Sequence, residues 1–271
     1  MTTLIGRAIF FIFTRQLLSK KPLKKRDFSM PKMIIGLNYL ICVFAYVSSF
    51  ILHRKSALYI NSSRFMFFLA TASLLGGLVH QSELDSATVH SLIDFLNTKM
   101  PSFLDPLSYD EIHTRLWFVS MQAIGLTEFY FLFLFIEPIA YGKLAIVRTW
   151  LKISLFIFFV VTLISSQYFF IVSLHVFTNS IAIIISLIIY FTQRIKPILL
   201  LSVIAGYNIM IGVMQQLMMH GILPTGPLHY NDWYHIALIL MIVLIHWALT
   251  RGHLIESLQV LHVRMANQLK M

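Results

Sequence analysis

Four side chains in this sequence have the types and spacing for chemistry: His80, His229, Asp232 and His235. Asp232 precedes His235 by three residues, a spacing that puts both on one face of a helix. His80 closes one apolar run and His235 opens another, so on antiparallel helices the two imidazoles lie at matching depth. Neutral imidazoles joined by a carboxylate are the donors of a three-ligand zinc site whose fourth position holds water. Zinc lowers the pKa of such water to about 7 and polarises a carbonyl at the same time. The expected metal ligands are His80, His235 and either His229 or Asp232. Asp232, or an acid from the connection that follows His80, is the expected general base.

A second set lies deeper in the apolar runs. Glu128 falls midway along one of them, where a carboxylate is costly and is by default a functional hypothesis. His175, Asn179 and Asn208, with His246 as a further member, fall at similar depths. Two readings stand side by side: a packing clamp in which Glu128 is protonated or bonded to Asn208 or a histidine, and a polar pocket that receives the head group or amide of a lipid. In the second, Glu128 joins Asp232 as a catalytic candidate, and Gln122, Gln215 and Gln216 line a passage between the layers.

The elements that must hold these residues are membrane helices. Of 271 residues, 58% are hydrophobic and 12% charged, and the mean hydropathy is +0.79. Soluble domains are about 45–50% apolar. A span needs roughly 20 apolar residues, because in lipid every backbone amide must be satisfied within the helix. Seven runs qualify: 33–53, 63–80, 115–137, 148–166, 168–191, 197–219 and 231–250. The fold class expected is therefore all-α, an integral membrane protein of seven transmembrane helices, with a tight hairpin between the fourth and fifth. Residues 1–32 form a basic amphipathic N-terminal segment, 33–250 the transmembrane domain, and 251–271 an amphipathic tail striped by Leu254, Leu258, Leu261 and Met265. A long loop joins spans two and three, and within it 86–101 carries Val89, Leu92, Ile93 and Leu96 at helical spacing.

Charge divides the two membrane faces. The 2–3, 4–5 and 6–7 connections hold nearly all the acids, whereas the 1–2, 3–4 and 5–6 connections and the C-terminal tail hold eleven Lys/Arg against Glu137 and Glu256. Basic connections stay cytoplasmic, which puts the C-terminus inside; for the basic 20–26 run three readings stand open: the rule fails there and the run lies outside, residues 1–18 dip through the bilayer, or translation begins at Met30 or Met33. A net charge of +10 thus reflects topology rather than nucleic-acid binding. With no retention or lipidation signal, a bacterial inner membrane is the default location. The single cysteine, Cys42, excludes an internal disulfide. No phosphate-binding loop, nucleotide-binding glycine pattern, HExxH or GxSxG is present. Nothing in the sequence sets the oligomeric state.

Seven spans with a histidine at the end of the second and another at the start of the seventh resemble the CREST superfamily of membrane hydrolases, which includes alkaline ceramidases and adiponectin-receptor-like proteins. That family holds zinc with an SxxxH histidine on span two and HxxxH histidines on span seven, assisted by an aspartate near the start of span three. By this resemblance His80 in "SLLGGLVH" and His235 in "NDWYH" are ligands, and the expected reaction is hydrolysis of a lipid amide or ester. Gly76 stands at the serine position and Asn231 at the first HxxxH histidine, so Asp232 or His229 must supply the missing bond. Two alternatives accompany the zinc hydrolase: a non-catalytic receptor or lipid-binding protein with a degenerate metal site, and a transporter whose site is the Glu128–Asn208 layer. Membrane lipids are the expected partners, and a lipid the expected substrate.

Overall fold

The computed structural model describes residues 32–55, 59–84, 86–99, 108–136, 145–164, 168–225 and 228–250, with 256–257, 260–261, 263–264 and 267 of the tail. The N-terminal segment up to residue 31 and most of the tail lie outside the described residues. Within them the chain is all-helical: α1 (Lys32–Lys55), α2 (Ile60–Leu84), α3 (Ser86–Lys99), α4 (Tyr109–Ile136), α5 (Ala145–Ile164), α6 (Tyr168–Gln193), α7 (Ile198–Met219) and α8 (Tyr230–Thr250). Six of these, α1, α2, α4, α6, α7 and α8, are long and apolar enough to cross a membrane.

Several boundaries differ from the sequence reading. Helix α2 runs on to Leu84, so His80 is one turn inside it rather than at its end. Helix α4 begins at Tyr109, and Asp110 and Glu111 form its first turn instead of preceding the span. The long 2–3 connection contains α3, as the spacing over 86–101 suggested, and Ile93 is its buried anchor. Polar residues extend both spans because a helix that leaves lipid keeps its own hydrogen bonds; hydropathy marks the lipid boundary, not the helix end.

The six long helices close a ring. Contacts run α1–α2–α4–α6–α7–α8 and return from α8 to α1. Helix α5 stands outside this ring, packed chiefly on α4. A continuous core of Ile41, Met66, Phe131, Ile198, Leu201, Ile242 and Ile245 fills the ring, while Val43, Phe50, Val203 and Leu240 point outward and stay exposed. Large apolar side chains therefore face both ways, since lipid tails are as apolar as leucine and give no hydrophobic drive to bring helices together.

Close approach replaces that drive. Between α1 and α2, Ser49 Oγ donates to the Ser63 carbonyl at 2.9 Å and Ser63 Oγ donates back to the Ser49 carbonyl at 3.0 Å. Tyr39 lies over Gly77, where a Cβ would come within 2.9 Å of the ring, and its hydroxyl donates to Gln81 Oε1. On the other flank Phe158 of α5 seats in the notch left by Gly125 of α4, where a Cβ would overlap the ring at 2.2 Å. Past α7, Gly221 takes φ +71°, and the Ile222 amide donates to the Leu217 carbonyl, a glycine-dependent helix stop.

The reciprocal serine pair sets a stability expectation. Each interhelical hydrogen bond in a membrane is worth about 0.6 kcal/mol, at most about 1.7. Ser63→Ala should lower unfolding free energy by about 1 kcal/mol, and Ser63→Leu by clearly more because it also forces α1 from α2. Equilibrium unfolding in mixed micelles measures both; equal stability of Ser63→Leu and the parent would refute the close-approach account.

Candidate functional site

Two polar layers exist, as the residue spacing suggested, and each is assembled from different helices. The deeper one centres on Glu128, which is buried on α4. Its Oε1 lies 2.6 Å from His175 Nδ1 on α6. Its Oε2 accepts Thr178 Oγ1 at 2.6 Å and Asn179 Nδ2 at 3.2 Å. Asn208 on α7 donates Nδ2 to Asn179 Oδ1 at 3.1 Å, and its carbonyl accepts His175 Nε2 at 3.3 Å. Glu128, His175, Asn179 and Asn208, singled out by depth alone, therefore do meet; Thr178 was missed because a lone threonine in an apolar run carries no signal.

The proton count explains why lipid tolerates this layer. His175 gives its Nε2 proton to a carbonyl, and one proton lies between Nδ1 and Oε1. Whichever atom holds that shared proton, the pair is neutral overall. A bare carboxylate at mid-membrane would cost about 2.5–3.5 kcal/mol or more, beyond what hydrogen bonds of about 0.6 kcal/mol each offset. The neutral pair avoids that cost, and both carboxyl oxygens are spent on α6.

The shallower layer gathers at the acidic face. His80 Nδ1 donates to Glu83 Oε2 at 3.2 Å, and His113 Nε2 on α4 donates to Glu83 Oε1 at 3.1 Å, so one carboxylate clasps α2 to α4. Tyr109 strengthens the clasp: its hydroxyl donates to the Ser82 carbonyl, and its ring stacks between His90 and His113. On α8, His235 Nδ1 donates to the Asn231 carbonyl at 2.6 Å. The space before its Nε2 is filled by the Asn38 amide of α1, with Oδ1 at 3.1 Å. Asn231, in turn, accepts Gln215 Nε2 of α7 at 2.8 Å. A Cβ at Gly76 would stand 3.4 Å from Asn38 Oδ1 and 3.9 Å from Ser120 Oγ, so α1, α2, α4 and α8 converge at this level.

The predicted ligands thus share a neighbourhood but not a coordination sphere. His80 lies within electrostatic reach of both His229 and His235. His229 is folded back over the start of α8, where its Nδ1 accepts the Asn231 amide and its carbonyl accepts the Asp232 amide. Asp232, 1% exposed, accepts the His229 amide through Oδ2, the reciprocal half of a helix-capping arrangement. Its Oδ1 is buried without a hydrogen-bond partner among the described residues. Among those residues no group of three or more His, Cys, Asp or Glu side chains is placed to hold one metal ion. Asp232 Oδ1 lacks a partner among the described residues, whereas His235 Nε2 faces an amide. Glu128 lies eight residues below Ser120 on the same helix, about 12 Å deeper, so it belongs to a separate site from Asp232.

Asn38 is the residue of this layer that the sequence reading missed. An asparagine six residues into α1 lies at the depth of His235, five residues into α8, and depth counting applied to span one would have paired them.

Two measurements test these assignments. Glu128→Ala strands His175, Thr178 and Asn179 and should cost about 2–3 kcal/mol, taking about 0.6–1.7 kcal/mol per bond; Glu128→Gln, neutral and similar in shape, should cost under half of that in the same micellar unfolding assay. At the acidic face, burial holds the His229 imidazole below its ordinary value, against the opposing pull of Asp232. A depressed imidazole binds its proton less readily folded than unfolded, so the contribution is complete above about pH 6.5 and is lost as pH falls below it. His229→Gln should therefore flatten the acid limb of a stability–pH curve; a parallel curve would remove His229 from that limb.

No curated protein and no solved structure matches the chain. A family model described as a family of unknown function (DUF6962) matches residues 102–253, which carry the whole Glu128 layer and all of α5 to α8. That match covers more than half of the 271 residues, and the chain belongs to this family.

Proposed function

We propose that the protein is a seven-helix membrane protein that binds a lipid without cleaving it, a receptor-like or lipid-binding chain on a CREST-like scaffold. Helix α5 is the seventh span, shorter in its apolar stretch than the rest, over Thr149–Phe158. The basic connections and the C-terminus lie on the cytoplasmic side. The observation that carries this reading is the Asn38 amide in front of His235 Nε2, with Asn231 held by Gln215 beside it. Where hydrolysis needs open donors converging on a reacting atom, this acidic-face layer offers one amide bonded to another, Gln215 to Asn231, and Asn38 set against His235. The ligand class follows from a cavity of about 490 Å³ walled almost wholly by apolar side chains of α4, α5 and α6. That volume lies within the roughly 300–1,000 Å³ of small-molecule sites.

A zinc hydrolase is the rival. It is favoured by Asp232 Oδ1, buried and unpartnered, and by the tethering of His80 and His235 through Nδ1, the way ligating histidines are oriented by their neighbours. Metal analysis of protein purified without chelator separates the two. Lipid binding without cleavage predicts far less than one equivalent of zinc and no release of fatty acid from ceramide or phospholipid. One equivalent of zinc that His235→Ala abolishes would overturn it in favour of the hydrolase.

A further inference from the structure

At its basic end the core of the ring is completed by a residue from beyond the ring. Leu261, eleven residues past the last residue of α8, is 0% exposed and belongs to the same continuous core as Leu52, Ile195, Ile198 and Leu249. Those four lie at the basic ends of α1, α7 and α8 and in the turn between α6 and α7. The helical tail residues around Leu261 reach toward two turns. Glu256 lies within electrostatic reach of Tyr59 in the α1–α2 turn, whose ring packs on the core beneath Lys55 Nζ. Glu256, Ser257 and Val260 also face Arg194, Lys196 and Pro197 of the α6–α7 turn. In the ring order α1–α2–α4–α6–α7–α8 those two turns stand opposite one another. The tail thus lies across the basic mouth rather than along its rim.

Its hold is apolar at Leu261 and polar at Arg264. The last carbonyls of a helix lack intrahelical partners and carry the negative end of its dipole. Arg264 Nη1 donates to the carbonyl of Gln193, the last residue of α6, at 3.2 Å, so the tail caps a helix of the ring. Beside that cap Arg194 takes φ +55°, a left-handed conformation uncommon outside glycine. Such strain persists where the surroundings over-determine it, and the tail lies against this turn. Neither contact belongs to a membrane span, however. A leucine stripe of Leu254, Leu258, Leu261 and Met265 accompanied by Arg264 and Lys270 is the pattern of a segment that rests in a bilayer interface. Leaving the mouth therefore does not strand Leu261 in water, and the tail has a second place to lie.

We infer that the C-terminal tail is a lid over the basic end of the ring, with Leu261 as its plug and Arg264 as its latch, and that its release opens the core at that end to water. The lid goes beyond the lipid-binding reading and does not rest on it. Neither polar layer takes part: Glu128 lies eight residues before the end of α4, about 12 Å from the basic end, and the acidic-face layer lies at the other mouth.

The test is cysteine accessibility in the full-length protein in nanodiscs, read site by site with a membrane-impermeant maleimide. Ile198→Cys, at a position 0% exposed in the first turn of α7, reports on the core under the lid. Native Cys42, buried on α1 and thirteen residues before its basic end, lies about 20 Å deeper and serves as the control. In the parent background Ile198→Cys should react slowly and Cys42 hardly at all. Reaction through a rare open state tracks the population of that state. Leu261→Asp, or Arg264→Gln if the first fails to fold, should therefore speed labelling at Ile198→Cys by about tenfold and leave Cys42 unchanged. An unchanged rate in a folded variant overturns the lid. So does a parent whose Ile198→Cys stays unlabelled through many half-lives of the variant, which would make the tail a fixed part of the core. Equal acceleration at Cys42 overturns it too, by making the effect a general loosening of the ring.

Discussion

The structure depends on one constraint: every polar group that enters the ring must find its partner inside the ring, because lipid offers none. Glu128 is the extreme case. A carboxyl group at mid-membrane survives because His175 makes it neutral and because Thr178 and Asn179 exhaust its second oxygen. Those three residues lie within five positions on α6, so the pair also fixes the rotation of α6 against α4. Asn208 then ties α7 to the same point. Three neighbouring helices of the ring are thus registered by one carboxyl group, and the apolar core packs around a geometry already determined.

The acidic face follows the same rule with a different outcome. There the spacing of His80, Asp232 and His235 invites a metal; in the structure Asn231 pairs with Gln215, Gly76 lets α2 approach Asn38, and Asn38 reaches across from α1 to His235. An amide can donate and accept at once, so asparagine and glutamine side chains bond to one another without a cation to neutralise. The layer that results ties α7 to α8 through Gln215 and Asn231 and sets Asn38 of α1 against His235 of α8. Asp232 Oδ1 is a buried acceptor with no bond among the described residues, and it marks where a small donor would be welcomed.

Much of this was legible in the sequence because membrane depth converts residue number into height. Glu128, His175, Asn179 and Asn208 were matched by depth and do meet. His80, His229, Asp232 and His235 were matched in the same way and share one neighbourhood. What depth leaves open is rotation and reach. It gives no azimuth for Asn38, which lies opposite His235 only because α1 and α8 are adjacent in the ring. Nor does it say whether neighbouring donors converge on one point. Helix α5 illustrates a third limit: hydropathy marks its run as a span like the others, whereas its standing outside the ring follows from packing that no single run encodes.

Ring closure has a consequence for how the protein is made. The first and last long helices of the ring are neighbours, and the Asn38–His235 contact joins residues 197 positions apart. At a synthesis rate of about 5–20 residues per second, roughly 10–40 s separate the emergence of the two partners. Throughout that interval α1 holds an asparagine in the bilayer with its eventual partner not yet made, and α1 and α2 can rely only on their serine pair and glycine contacts. The last-made of the six long helices is thus the one that ends the exposure of the first, which makes the insertion of α8 the step that closes the ring.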